Sequence, residues 1–158
     1  MELKRMALAN PTLAFPDHSK PFYLFVDASV GGKDIRGGIA GVLCQIQNGR
    51  SRPIGFFSHE MRDSENFYNP FASELLAVSK SLDYFKPIIK GAQILVYSDH
   101  SPLVEDNQKV NKIISNLAIK IQDFEAELLF FDGKNNVHAA FISWHCVAVD
   151  KKQPEAVK

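Results

Sequence analysis

Apolar residues come in short runs over the first third of the chain and at helical spacing after it, and this change of period sets out the elements. Phe22 to Val30 (FYLFVDASV) begins as an apolar, aromatic run with an aspartate in its interior, and the breaker pair Gly31-Gly32 ends it. Gly37 to Gln47 (GGIAGVLCQIQ) is a second strand closed by the turn signal Asn48-Gly49, and Pro53 to Ser58 (PIGFFS) is a third. Short links without an intervening helix make these three an antiparallel meander. Asn69-Pro70 then supplies an N-cap and a proline at the first helical position, followed by apolar Leu75, Leu76, Val78, Leu82, Tyr84 and Phe85. That helix is expected to stop near Pro87 and Gly91. Ile94 to Ser98 (ILVYS) is continuously apolar, as a buried parallel strand would be, and it runs into Asp99-His100. Ser101-Pro102 caps a short helical stretch, and Val110 to Phe124 places Ile113, Ile114, Leu117, Ile121 and Phe124 on one helical face. Glu127 to Asp132 (ELLFFD) is a fifth strand ended by Gly133, and Asn136 to about Val149 fits a last helix with Val137, Ala140, Phe141 and Trp144 inward. The order βββαβαβα predicts an α/β domain, a mixed sheet flanked by helices.

With 158 residues, 46% of them hydrophobic, the chain has material for one domain with a real core. Met1 to Pro21 carries three prolines and little periodicity, and is expected to be a short helix plus an extended connector from an upstream domain. The domain proper is expected over 22–149, with 150–158 as a flexible tail. Eighteen basic against eighteen acidic side chains give zero net charge, so no general cation excess drives nucleic-acid binding. Any such contact must be local or assisted. Cys44 and Cys146 have neither a disulfide framework nor metal-ligand spacing, which predicts buried thiols and an intracellular setting, cytoplasmic or nuclear. No apolar run approaches the ~20 residues that span a bilayer, so no membrane association is expected.

Three acidic residues sit where burial should disfavour them: Asp27 inside an apolar strand, Glu74 early in a helix, and Asp99 at the end of a buried strand. Each alone has an ordinary explanation. Asp27 could cap a turn, and Glu74 suits the positive end of a helix dipole. Together, on the ends of neighbouring elements and without an adjacent basic residue in sequence, they point to a Mg²⁺ site.

The motifs DAS at 27–29, the GVLCQ stretch from Gly41 to Gln45, PIGFFS, the ELLAV of the first helix, SDHSPL at 98–103 and the opening NPTLAFPDHSKPF resemble the ribonuclease H domain of gypsy-class retrotransposons and related retroviruses. The resemblance covers nearly all of positions 10–145 and implies a five-stranded sheet ordered 3-2-1-4-5. It also implies a two-metal nuclease that cleaves the RNA strand of an RNA·DNA hybrid, recognised through its minor groove and 2′-OH groups. In that scheme Asp27 bridges two Mg²⁺ ions, with Mn²⁺ as an admissible substitute, and Glu74 and Asp99 complete the leaving-group metal. The three carboxylates are expected to converge on one surface.

Two departures qualify this. Where the family pattern carries its fourth carboxylate, GKNNVHAAFIS at 133–143 has Ala140, which cannot bind a metal. At most one ion is then expected, and neither Asp132 nor His138 occupies the matching position. The link VGGKDIRGG at 30–38 is longer than usual and is expected to form a longer hairpin, in which Lys33 and Arg36 could touch a phosphate. His100 should point away from Asp99 by strand alternation, and Phe141 and Trp144 match a core stripe better than a stacking platform. Two readings stay open. One is a nuclease module disabled at Ala140 that binds hybrid weakly beside a reverse-transcriptase domain; the other is a domesticated, non-catalytic interaction module, a pseudoenzyme. Fold alone cannot choose.

Overall fold

The computed structural model describes residues 12–98 and 108–130. Strands β1 (Phe22–Ser29), β2 (Gly38–Gln47) and β3 (Arg50–Glu60) are followed by helix α1 (Pro70–Ile89), strand β4 (Ile94–Ser98), helix α2 (Gln108–Gln122) and strand β5 (Glu127–Phe130). They form one five-stranded sheet ordered β3-β2-β1-β4-β5. The meander pairs antiparallel, whereas β4 and β5, each reached after a helix, pair parallel to their neighbours. This is the mixed α/β sheet expected from the sequence.

The meander is longer than its apolar runs suggested. Asn48 and Gly49 both take positive φ, at 54° and 71°, as a two-residue hairpin turn of right-handed twist requires. That turn pairs Gln47 with Arg50, so β3 begins before Pro53. The proline is tolerated because β3 is an edge strand and the register shifts beside it, between Leu43 and Cys44. The Pro53 carbonyl accepts the amide of Ala14 at 2.8 Å, and Asp17 and Gln45 exchange hydrogen bonds at 2.8 and 2.7 Å. The segment before β1 is thereby fastened along the sheet.

Helix α1 ends at Ile89, within the Pro87 to Gly91 stretch where its stop is expected. Pro87 lies inside it, and the helix continues to Ile89, whose fully buried side chain belongs to the core. Burying an isoleucine is worth roughly 1.5–3 kcal/mol, enough to offset much of the backbone bond a late proline removes. The main core lies between α1, through Leu75, Val78, Leu82 and Phe85, and the sheet face of Leu24, Val26, Ile39 and Leu43, with Leu117 and Ile121 of α2 beside it. Two glycines bring the layers close. A Cβ on Gly55 would lie 2.8 Å from the Phe85 ring, and one on Gly41 would collide with Ser81. The other sheet face buries Phe25, Val42 and Cys44 among Tyr23, Ala40, Phe56 and Tyr97. Cys44 is buried, as expected; Cys146 lies outside the described residues.

The 30–37 link makes the longer hairpin, closing on the pair Ser29 and Gly38. Gly37 donates its amide to Asn66 Oδ1 at 2.9 Å, and its carbonyl accepts from Met61 at 2.9 Å. Arg36 faces Glu60 at 3.4 Å and Asp63 at 3.1 Å. Among the described residues no helix is long and apolar enough to cross a membrane.

Candidate functional site at the ends of β1 and β4

The site begins with a mismatch in strand length. Pairing between β1 and β4 ends at Phe25 and Tyr97, while pairing between β1 and β2 continues to Ser29 and Gly38. Past Phe25, residues Val26 to Ser29 of β1 are laddered to β2. Ligand sites of open α/β sheets favour such places, at carboxyl ends of strands where the chain direction of the sheet switches.

Helix α1 delivers Glu74 to the end of β1. Asn69 caps the helix by accepting the Ala72 amide on Oδ1 at 2.7 Å, and Pro70 fixes the first turn. Glu74 follows on the second turn and is only 3% exposed. Its Oε1 accepts the backbone amide of Ala28 at 2.9 Å, and its Oε2 accepts the Ser98 hydroxyl, also at 2.9 Å. One buried carboxylate thus ties the end of β1 to the end of β4. Ser98 is itself 1% exposed.

Asp27 is half-buried, opposite Ala40 in the β1–β2 ladder. Alternation assigns it to the face of Tyr23 and Phe25, away from α1, and it borders a groove of about 530 Å³ shared with Ser29, Val42, Phe56 and His59. Asp27 and Glu74 therefore come from different sides of the sheet. What they share is its end: Glu74 sits on the amide directly after Asp27. Asp99, the residue after Ser98, lies outside the described residues, as do Ala140, His100, Asp132, His138, Phe141 and Trp144. Among the described residues no group of three or more His, Cys, Asp or Glu side chains could hold a metal ion.

On the same strand as Ser98, Tyr97 stacks on Phe25 with ring centroids 5.0 Å apart, and burial, then Tyr23 and Glu127, push its phenol above the ordinary tyrosine range. Neither Ser98 nor the Ala28 amide was singled out from the sequence. Ser98 left a faint signal, as the polar last residue of an apolar strand; a backbone amide leaves none.

The sequence family described as an RNase H-like domain found in reverse transcriptase matches residues 1–96. The chain belongs to that family. A Pol polyprotein from the transposon opus of Drosophila melanogaster is 35% identical over 145 residues, covering 90% of this chain and 14% of the relative. The gypsy Pol polyprotein of the same fly is 28% identical over 154 residues, covering 96% and 14%. This ribonuclease H-like domain thus spans about 14% of the length of these curated relatives. Among solved structures, foamy viral protease-reverse transcriptase in complex with dsDNA aligns with a TM-score of 0.55 at 20% identity, covering 95% of this chain and 28% of that one. RNase H1 of the archaeon Halobacterium salinarum aligns with a TM-score of 0.55 at 10% identity, covering 74% and 89%. These likenesses show that the domain has the ribonuclease H fold.

Proposed function

We propose that this domain is the ribonuclease H module of a retroelement Pol polyprotein, built for metal-dependent hydrolysis of RNA in RNA·DNA hybrids and disabled at Ala140. The observation that carries the reading is the placement of Glu74, a buried carboxylate on the amide following Asp27 at the strand end of a ribonuclease H-like fold. Carboxylate oxygens are hard donors suited to Mg²⁺ or Mn²⁺, and Asp27, Glu74 and Asp99 would hold the metal. When bound, it would polarise a water and stabilise the leaving oxygen. The chain's own residues have the task of holding those donors still. Ladder pairing with Ala40 fixes the backbone of Asp27, and Ala28 and Ser98 fix the carboxylate of Glu74. Ala140 offers no oxygen, so the water-activating side would lack one of its ligands.

A hybrid as substrate is supported by a foamy viral protease-reverse transcriptase of this fold, solved in complex with RNA/DNA hybrid, which aligns with a TM-score of 0.54 at 19% identity. The relatives being Pol polyproteins supports an adjacent reverse-transcriptase domain as partner. With zero net charge the domain alone should hold hybrid weakly and lose it as salt rises. Tight binding in an anisotropy titration that ignores salt would contradict this. The zero net charge and Ala140 also favour a second reading, a non-catalytic interaction module.

Hybrid cleavage by the unaltered chain, by Ala140→Asp and by Ala140→Asp with Asp27→Asn separates the two. The nuclease reading expects no cleavage, then a gain, then loss of that gain. Cleavage by the unaltered chain would overturn the role given to Ala140. A folded Ala140→Asp protein that stays inactive even with a reverse-transcriptase domain supplied would leave the interaction module.

A further inference from the structure

Ser98 closes an apolar strand, is 1% exposed, and spends its hydroxyl on Glu74 Oε2 at 2.9 Å. A carboxylate only accepts, so the serine is the donor. With the Ala28 amide on Oε1, the two oxygens of Glu74 are held from two different strands. One bond would leave the carboxylate free to swivel about it, because the last torsion of a glutamate is broad. Two bonds, one per oxygen, fix its plane. The anchors are themselves rigid: Ala28 is laddered to Ile39, and β4 is an interior strand between β1 and β5. A carboxylate oxygen carries two lone pairs, so a hydrogen bond and a metal ion can share it.

We propose that Ser98 is a positioning residue of the metal site, acting through Glu74; the proposal rests on the reading of Asp27, Glu74 and Asp99 as metal ligands. Its hydroxyl presets the plane in which Glu74 meets the ion, so the carboxylate need not be ordered when the ion arrives. Hydrogen bonds that orient a ligating group are typically worth 10–100-fold in metal affinity. The residue itself touches no metal.

The test is a Mn²⁺ titration of the full chain by calorimetry, with paramagnetic resonance of the free ion as a second readout. The variants are Ser98→Ala, Ser98→Thr and Glu74→Gln, each checked for folding by its metal-free thermal melt. Ser98→Ala should weaken Mn²⁺ binding about tenfold or more. Ser98→Thr, which keeps the hydroxyl on a strand-favouring residue, should bind within about threefold of the unaltered chain, well inside that penalty. Glu74→Gln should be weakened at least as far as Ser98→Ala, and adding Ser98→Ala to it should cost nothing more, because the serine acts only through Glu74. If Ser98→Ala does not fold, Ser98→Cys, a weak donor of similar shape, takes its place with the same expectation. Unchanged binding in Ser98→Ala beside weakened binding in Glu74→Gln overturns the positioning role and leaves the metal reading standing. Ser98→Thr as weak as Ser98→Ala shows that packing, not the hydroxyl, matters, and also overturns it. Unchanged binding in Glu74→Gln, or no binding by the unaltered chain, removes the metal reading and the proposal with it.

Discussion

The close approach of helix and sheet at Gly41 and Ser81 should govern both stability and the placement of Glu74. A Cβ added to Gly41 would collide with Ser81 Oγ and lie 3.0 Å from Ser81 Cβ. Turning the hydroxyl away relieves only the first contact, since carbon atoms prefer about 3.5–4.0 Å. Helix α1 must then lift by several tenths of an ångström over a packed core, and overpacking of this kind costs about 1–3 kcal/mol. Gly41→Ala should therefore lower the melting temperature by roughly 4–8 °C, taking 2 kcal/mol as a middle value for a domain of this size. Ser81→Gly removes the obstructing Cβ at a helix-propensity cost of about 0.5 kcal/mol, and Ser81 Oγ has no hydrogen-bond partner to lose. In that background Gly41→Ala should cost almost nothing. Ser81 lies two turns along the same helix from Glu74, so lifting α1 should also draw Glu74 from the Ala28 amide. Mn²⁺ affinity should fall in Gly41→Ala and recover in the double variant. The assay is a double-mutant cycle by urea unfolding with a parallel Mn²⁺ titration. Equal costs for Gly41→Ala in both backgrounds, within about 0.5 kcal/mol, would refute the contact as the cause.

Two further outcomes are expected. Asn69→Ala removes the bond to the Ala72 amide and should cost about 1 kcal/mol in urea unfolding, with Asn69→Asp restoring it; an unchanged midpoint for Asn69→Ala would discount the cap. The Asp17 carboxyl is lowered from 3.8 to about 2 by the Ser19 hydroxyl first, then by Lys20 and the Ser19 amide. A depressed folded value means the contribution is present above pH 3.8 and lost as pH falls toward 2, so Asp17→Asn should flatten acid unfolding in that window. Carboxyl NMR giving Asp17 an ordinary value would sink this.

The period of the apolar residues, the Asn48-Gly49 turn and the Asn69-Pro70 helix start were enough to read the meander, the first helix and the parallel strand that follows it. These are local signals: a turn type needs particular φ values, and a helix start needs a cap and tolerates a proline. The ends of the elements were less legible, because they are set by distant partners. Pro53 opens the apolar run, yet the hairpin ladder carries β3 back to Arg50, and within the Pro87 to Gly91 stretch α1 ends on the buried Ile89.

For the site, the sequence by itself marked Asp27, Glu74 and Asp99, since a carboxylate in or at the end of an apolar strand, or early in a helix that packs on the core, costs free energy unless something compensates it. It also marked Ala140, through a resemblance rather than through physics. Only the tertiary structure decided that Asp27 and Glu74 approach from different sides and share the end of β1, because that depends on how α1 packs against one face of the sheet. It alone supplied Ser98 and the Ala28 amide as the anchors of Glu74: a hydrogen bond across 46 residues, or across 24, depends on the packing of α1 against the sheet and has no local pattern to announce it.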